Sequence, residues 1–371
     1  MGTVGIVAQL YAKSDYREIA RTLIRNFLIA IVISTILILF KFLIIDLIQN
    51  FFNVSKETNE LIDKYISIRV LSIPAEFTLY ILIGFFLGIQ KTNISSLFII
   101  LFSALNIIFS SLFVLSLNLN ISGVALGTLI ASYSTSIIFM CYTYRFIIKN
   151  FQITPSFNRL FSPSKIIKLI SINFNIFVRS FFLTFAFLWI PYLGSKLGED
   201  ILAINVILMQ FIIFASFFLD AYAFSTEGIV GYSIGRRSYK NFITAVINSI
   251  QLSFFTALLI SIIYLIFFKD IINIITNVEI LRFISYKHAI WIIIIPPIAA
   301  FCYQLDGIYT GASQTKEMRN AMMISVTLFI ILSLYLTKFF GNHGLWLSLL
   351  IFMSLRSLSL LIFFKRITKR I

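Results

Sequence analysis

Apolar runs of about 20 residues recur along the whole chain, as in "NFLIAIVISTILILF" at 26–40. A helix rises about 1.5 Å per residue, so each run is long enough to cross a hydrocarbon core of about 30 Å. No long polar segment interrupts the series, which leaves nothing from which to build a separate soluble domain. Composition agrees: 59% of the 371 residues are hydrophobic, 12% are charged, and the mean hydropathy is +0.97. Soluble domains run near half apolar and about a quarter charged. The chain therefore reads as an all-α polytopic membrane protein.

Helices are expected at about 19–48, 61–91, 93–118, 121–148, 165–196, 199–236, 239–268, 284–314, 318–340 and 343–368, after an apolar stub at 1–12. The stretch "NFQITPSFNRLFSPSK" at 150–165 carries two prolines and reads as a central linker. The formal net charge of +15 would suggest a nucleic-acid partner in a soluble protein. Here the cations lie mostly in short loops, so no nucleic acid is expected. Alternate loops at 13–25, 91, 145–168, 236–240, 316–319 and the tail "KRITKR" hold 19 of the 30 basic residues, and the opposite side holds 7. The richer side is expected to be cytoplasmic, with the C-terminus inside. Lys41, Arg69, Arg179 and Arg356 fall within spans.

Internal repetition is the most informative feature. Shifted by 223 residues, Pro74 falls on Pro297, Gly84 on Gly307, Gly88 on Gly311 and Thr92 on Thr315. Upstream, "GIVAQLYAKSDY" at 5–16 overlays "GIVGYSIGRRSY" at 228–239 without a gap. Apolar composition alone would not align prolines and glycines at one offset. The second half has six helices, an even number, so both halves enter the membrane in the same sense. Such repeats suit a cavity between two lobes and alternating access. The expected division is 1–149, a cytoplasmic linker at 150–164, and 165–371. Met1 maps to Phe224, inside a helix, so the first half is expected to lack about two front helices of a 6+6 design.

The segments "MGTVGIVAQLYAKSDYREIARTLIR", "IRVLSIPAEFTLYILIGFFLGIQKT", "LDGIYTGASQTKEMRN" and "GNHGLWLSL" resemble the multidrug and toxic compound extrusion (MATE) family. More narrowly, they resemble its DNA-damage-inducible-protein-F branch, in an N-terminally truncated form. The resemblance implies a two-lobe antiporter of the bacterial cytoplasmic (inner) membrane. It would export organic, often cationic compounds against inflowing protons or sodium, with no cofactor beyond the coupling ion, as a monomer among membrane lipids. It also implies an ion site in the first lobe, made by an aspartate on the absent first helix and an Asn-x3-Asp pair. Here that pair reads Asn106 and Ser110, with Thr128 at a further site position, and both carboxylates are missing.

In the second half, Asp306 follows the apolar run "AIWIIIIPPIAAFCYQL". A charge at the centre of a span costs about 2.5–3.5 kcal/mol on insertion scales, and ordinary packing gains nothing from it. Its repeat counterpart is Ile83 and that of Glu227 is Val4, so the fold itself needs neither acid. Asp220 and Glu227, seven apart, share a helix face, and Arg179 lies near the middle of its span. Three acids and one arginine would leave spare negative charge for a proton, a sodium ion or a cationic substrate. For Arg179 and Asp220, charge neutralisation and helix packing is an equal reading. Glu76, with Arg69 two turns earlier, is a first-half acid that could partly substitute for the missing ones.

Gly84-x3-Gly88 and Gly307-x3-Gly311 are spacings that let helices approach closely. Pro74, Pro296 and Pro297 are candidate helix bends. His288 and His343 lie near span ends with no spacing that pairs them, and no metal site is expected. Cys141 and Cys302 have no CxxC spacing. Without a Walker A sequence or a nucleophile with its base, neither a nucleotide-driven pump nor an enzyme is expected. Two alternatives to the exporter stay open: a flippase for lipid-linked sugar precursors, whose pyrophosphate cargo demands a basic cavity, and a truncated remnant that transports nothing.

Overall fold

The computed structural model describes residues 2–52, 55–153 and 160–368, with the side chains of 50–52 left aside. Its helices are α1 (Gly2–Ala12), α2 (Tyr16–Leu39), α3 (Lys41–Phe52), α4 (Lys56–Arg69), α5 (Ile73–Gly88), α6 (Thr92–Ser111), α7 (Asn120–Phe146), α8 (Pro163–Leu197), α9 (Glu199–Gly235), α10 (Tyr239–Ile275), α11 (Glu279–Gly311), α12 (Thr315–Phe340) and α13 (Asn342–Thr368). Ten membrane-length spans are present among the described residues, α4 and α5 together making one. Large side chains such as Leu97, Ile100, Ile107 and Ile108 of α6 are exposed, as expected of a helix face turned to lipid.

The duplication is written into the backbone. Helix ends Ala12 and Gly235, helix starts Tyr16 and Tyr239, ends Gly88 and Gly311, and starts Thr92 and Thr315 are each 223 apart. The left-handed turn residues obey the same offset: Ser14 (φ 56°) with Arg237 (53°), Gln90 (61°) with Ser313 (56°), and Asn118 (51°) with Gly341 (55°). Non-glycine residues adopt this conformation uncommonly, so its recurrence is a strong structural signature. Even the caps repeat. Asp15 accepts from the Glu18 amide at the start of α2, and Ser238 accepts from the Asn241 amide at the start of α10; each satisfies a donor the helix leaves open.

The described chain forms two compact units, whose borders differ from the expected 149 and 165. Residues Leu10–Ile170 form the body of the first. The described part of the expected linker belongs there because α2 holds it. Arg25 is 2% exposed; it donates from Nε to the Leu160 carbonyl at 2.8 Å and from Nη1 to Glu18 at 2.6 Å. Lys165 reaches the same Glu18 oxygen at 2.8 Å, and Phe151 stacks on Tyr16 with ring centroids 4.5 Å apart. Residues 154–159 of the expected linker, and the last residues of the basic tail, lie outside the described residues.

Two expected elements are modified within this unit. The span begun at α2 turns at Phe40, whose φ of −92° and ψ of 16° are off helical geometry, before α3 continues. The helix expected at 61–91 is broken by a 3-10 turn at Val70–Ser72. Pro74 then falls in the first turn of α5, where its missing N–H removes no helical bond.

The second unit comprises Gly2, Val4–Gln9 and Ser171–Ile371 as grouped by packing. The expected division put residues 1–149 in one half, but Val4–Gln9 of α1 pack on this unit through glycine. A β-carbon on Gly5 would lie 2.4 Å from the Thr310 carbonyl oxygen and 2.8 Å from that of Gly311. The core is apolar and aromatic, with Leu208, Phe211, Ile292, Phe329, Trp346 and Phe352 buried together. At one end, Asn205 and Asn342 exchange amide hydrogen bonds of 2.8 and 2.9 Å, and the Trp346 indole donates to Asn205 at 2.9 Å. Replacing Asn205 with Ala orphans an amide and an indole N–H in a buried place. We expect a loss of about 2 kcal/mol, read as a lower thermal unfolding midpoint of the detergent-purified protein.

Candidate functional site

The second unit brings Asp306, Arg179 and Arg356 together. Asp306 lies on α11 and is 7% exposed. Its Oδ2 accepts from Nη2 of Arg179, on α8, and from Nη2 of Arg356, on α13, the latter at 2.5 Å. Asp306 is five residues from the end of α11, but Arg179 and Arg356 lie near the midpoints of α8 and α13. The carboxylate is thus held at mid-span depth. There a charge survives only when paired or hydrated.

In the sequence Arg356 is marked only by its place within a span. It is 2% exposed, its guanidinium lies 5.4 Å from the Phe352 ring centroid, and Nη1 contacts the Met353 sulfur at 3.6 Å. A buried arginine within an apolar span demands a counter-ion as strictly as the aspartate does, and that signal was present in "MSLRSLSLL". The expected sum of three acids and one arginine is therefore corrected. With Arg356 included, three acids and two arginines leave a formal charge of −1.

Asp220, on α9, is half-buried and within electrostatic reach of Arg179, Asp306 and Arg356. Among the described residues it makes no direct ion pair, so it faces the cluster as a neighbour and not as a ligand of either arginine. Glu227 lies two turns further along α9, 4% exposed, with Oε2 buried and making no hydrogen bond among the described residues. Its backbone is fixed against α11: a β-carbon on Gly311 would come 2.5 Å from the Glu227 carbonyl oxygen, and one on Gly307 2.6 Å from that of Ala223. The Gly-x3-Gly spacing serves this close approach. Between the two acids, Thr226 donates to Gln304 Oε1 at 2.8 Å, so α9 and α11 are joined by polar contacts as well. Pro296 and Pro297 lie inside α11, nine or ten residues before Asp306.

In the first unit, Asn106, Ser110 and Thr128 do meet. Asn106 donates to Thr128 Oγ1 at 3.0 Å, Ser110 lies 3.5 Å from Asn106 Oδ1, and Thr128 donates to the Val124 carbonyl. A β-carbon on Gly127 would lie 2.4 Å from Ser110 Oγ, so α6 and α7 are close here. The trio is uncharged and self-satisfied. Glu76 is engaged elsewhere, by Arg69 at 2.5 Å and by Ser72 at 2.7 Å.

Comparisons with known proteins bear on the family and the fold. The MatE family model matches residues 1–112 and 176–336. The chain is 32% identical over 366 residues to DNA damage-inducible protein F of Escherichia coli K12, spanning 99% of this chain and 79% of that protein. It is 23% identical over 375 residues to the probable multidrug resistance protein NorM of Bacillus cereus, spanning 98% and 82%. Among solved structures, an outward-facing multidrug resistance MATE family transporter superposes with a TM-score of 0.89 at 16% identity, over 100% of this chain and 83% of that one. A MATE protein in its straight conformation gives 0.88 at 16% identity, over the same shares. At such identities the likeness is one of fold.

Proposed function

This chain belongs to the MATE family, as a multi-pass membrane efflux transporter and not an enzyme, and from that premise we propose that it is a cation-coupled antiporter. In this reading it exports organic, often cationic compounds across a bacterial cytoplasmic membrane, with its basic-rich end and C-terminus inside. Protons or sodium ions flowing inward drive the cycle, and the two halves alternate access to the cargo.

The observation that carries the reading is the polar cluster inside the second unit. A carboxylate shared by two arginines is held in place, while Asp220 and Glu227 supply two further carboxyl groups that, among the described residues, make no ion pair with either arginine. A cation arriving at Asp306 competes with Arg179 for the carboxylate, and one held at neighbouring Asp220 repels Arg179. Loosening Arg179 from Asp306 unlinks α8 from α11, which converts ion binding into helix movement. The residual formal charge of −1 also favours a cationic cargo over the pyrophosphate of a lipid-linked sugar.

The test is efflux of a fluorescent lipophilic cation from proteoliposomes under an imposed proton or sodium gradient. Gradient-driven movement with one of the two ions supports the reading and identifies that ion. Movement of a lipid-linked pyrophosphate instead, with none of the dye, would establish the flippase alternative. Glu227→Gln makes a sharper prediction. The amide fills the same space without a titratable oxygen, so the protein folds with unchanged stability, and proton-driven efflux falls at least about tenfold. Dye flux at the wild-type rate would remove Glu227 from the coupling path.

A further inference from the structure

The only two histidines of the chain, 55 residues apart in sequence, are stacked on each other. His288 of α11 and His343 of α13 have ring centroids 4.2 Å apart at an interplanar angle of 12°. His288 is 5% exposed, whereas His343 is exposed and lies over it. Both belong to the second unit, at the end where α11 and α13 begin. Eighteen residues of α11, about 27 Å of helix, separate His288 from Asp306.

Hydrogen bonding assigns each ring a neutral tautomer. Nδ1 of His288 lies 2.9 Å from the Ile284 carbonyl oxygen. A carbonyl only accepts, so this nitrogen carries the proton and Nε2 bears the lone pair. That Nε2 is buried and has no hydrogen-bond partner among the described residues. Nδ1 of His343 accepts from the Trp291 indole N–H at 3.0 Å. An indole only donates, so this nitrogen is bare and the proton sits on Nε2. The charged or titratable groups within reach of His288 are Lys287 on its own helix and His343 from α13, with no carboxylate among them.

Adding a proton breaks the arrangement at either ring. On His343 it would turn Nδ1 into a donor facing the donor Trp291. On His288 it would place an N–H in a buried spot with no acceptor, beneath a second imidazole and near Lys287. We propose that His288, His343 and Trp291 form a proton-releasable latch, closed while both rings are neutral, that joins the starts of α11 and α13. Acid on the exposed face enters through His343, separates the rings and frees the first turns of α11. Pro296 and Pro297, two turns beyond His288, supply a place at which the freed segment bends. The latch does not depend on the coupling reading.

Because the chain has two histidines, labelling the whole protein in lipid nanodiscs with ring-15N-histidine and indole-15N-tryptophan gives two imidazole spin systems, assigned with His343→Phe, beside the Trp291 indole signal. At pH 8 the proton should sit on Nδ1 of His288 and on Nε2 of His343. On acidification to pH 5, protonation should coincide with a shift of the Trp291 indole resonance, and the two rings should titrate as a coupled pair. Amide exchange at 280–290 should rise at least tenfold between pH 8 and pH 5, after correction for intrinsic rates. His343→Phe keeps a stacked ring without a titratable nitrogen, so exchange there should become independent of pH. Reversed tautomers at pH 8, independent titration with no change at Trp291, or a pH-dependent exchange that survives in His343→Phe would each overturn the latch. Should His343→Phe prove unstable, Trp291→Phe serves: it removes the indole donor, and the single-tautomer signal of His343 should become a mixture.

Discussion

Asp306→Asn should lose gradient-driven efflux altogether and weaken the fold by about 3–5 kcal/mol. The second effect comes from the arginines. Arg356 is 2% exposed and bonds Asp306 Oδ2 at 2.5 Å. Taking the charge from one partner of a buried pair leaves the other uncompensated, and that accounts for the magnitude. Two arginines share this aspartate, so the value belongs at the upper end of the range. Loss of transport in the single variant is therefore ambiguous by itself. Adding Arg356→Met separates the contributions: it removes the stranded charge, keeps volume in the core, and should recover more than half of the lost stability. Non-additivity of this size is expected of residues in direct contact. Arg179 still has Asp220 within electrostatic reach in the double variant. Thermal unfolding of the purified proteins, followed by tryptophan fluorescence, gives the comparison.

Gly311→Leu should be nearly as damaging, for a steric reason. The first side-chain carbon would lie 2.5 Å from the Glu227 carbonyl oxygen, which is backbone and has no rotamer to yield. Helix α1 crowds the same place, since Gly5 meets the carbonyls of Thr310 and Gly311, and Gly231 meets Ala8. Overpacking in cores costs typically 1–3 kcal/mol. With helix backbones on two sides, we expect about 3 kcal/mol and a clear fall in monodisperse protein on size-exclusion chromatography. Gly198→Ala is the control. Nothing lies within 4 Å of that position, although its φ of 123° makes Ala somewhat strained there, so a smaller loss is expected.

Much of the architecture was legible because it rests on chemistry local in sequence. Spans announce themselves as apolar runs, and duplication shows as punctuation aligned at one offset, later matched by left-handed turns such as Ser14 and Arg237. Asp306 was legible as a cost: an acid within a span needs a partner wherever that partner comes from. What could not be read was the identity of the partner. Arg356 carried the same signal as Arg179, but neither spacing nor periodicity relates residue 356 to residue 306, and only the packing of α13 on α11 does so. His288 and His343 illustrate the same limit, because their stack joins two helices with no common pattern. The borders of the units were shifted for a related reason. Glycine contacts and the Glu18–Arg25 pair decide which body α1 and residues 160–170 join, and such contacts leave no trace in composition.

Efflux of a lipophilic cation from proteoliposomes holding the stable Asp306→Asn/Arg356→Met protein, under the ion gradient that drives the wild type, is the decisive measurement. If the cluster around Asp306 couples ion to cargo, the refolded and correctly inserted double variant shows no gradient-driven flux above empty liposomes. Gradient-driven flux at the wild-type rate would mean that coupling occurs elsewhere in the chain, and that the two arginines and their carboxylate only hold the second unit together.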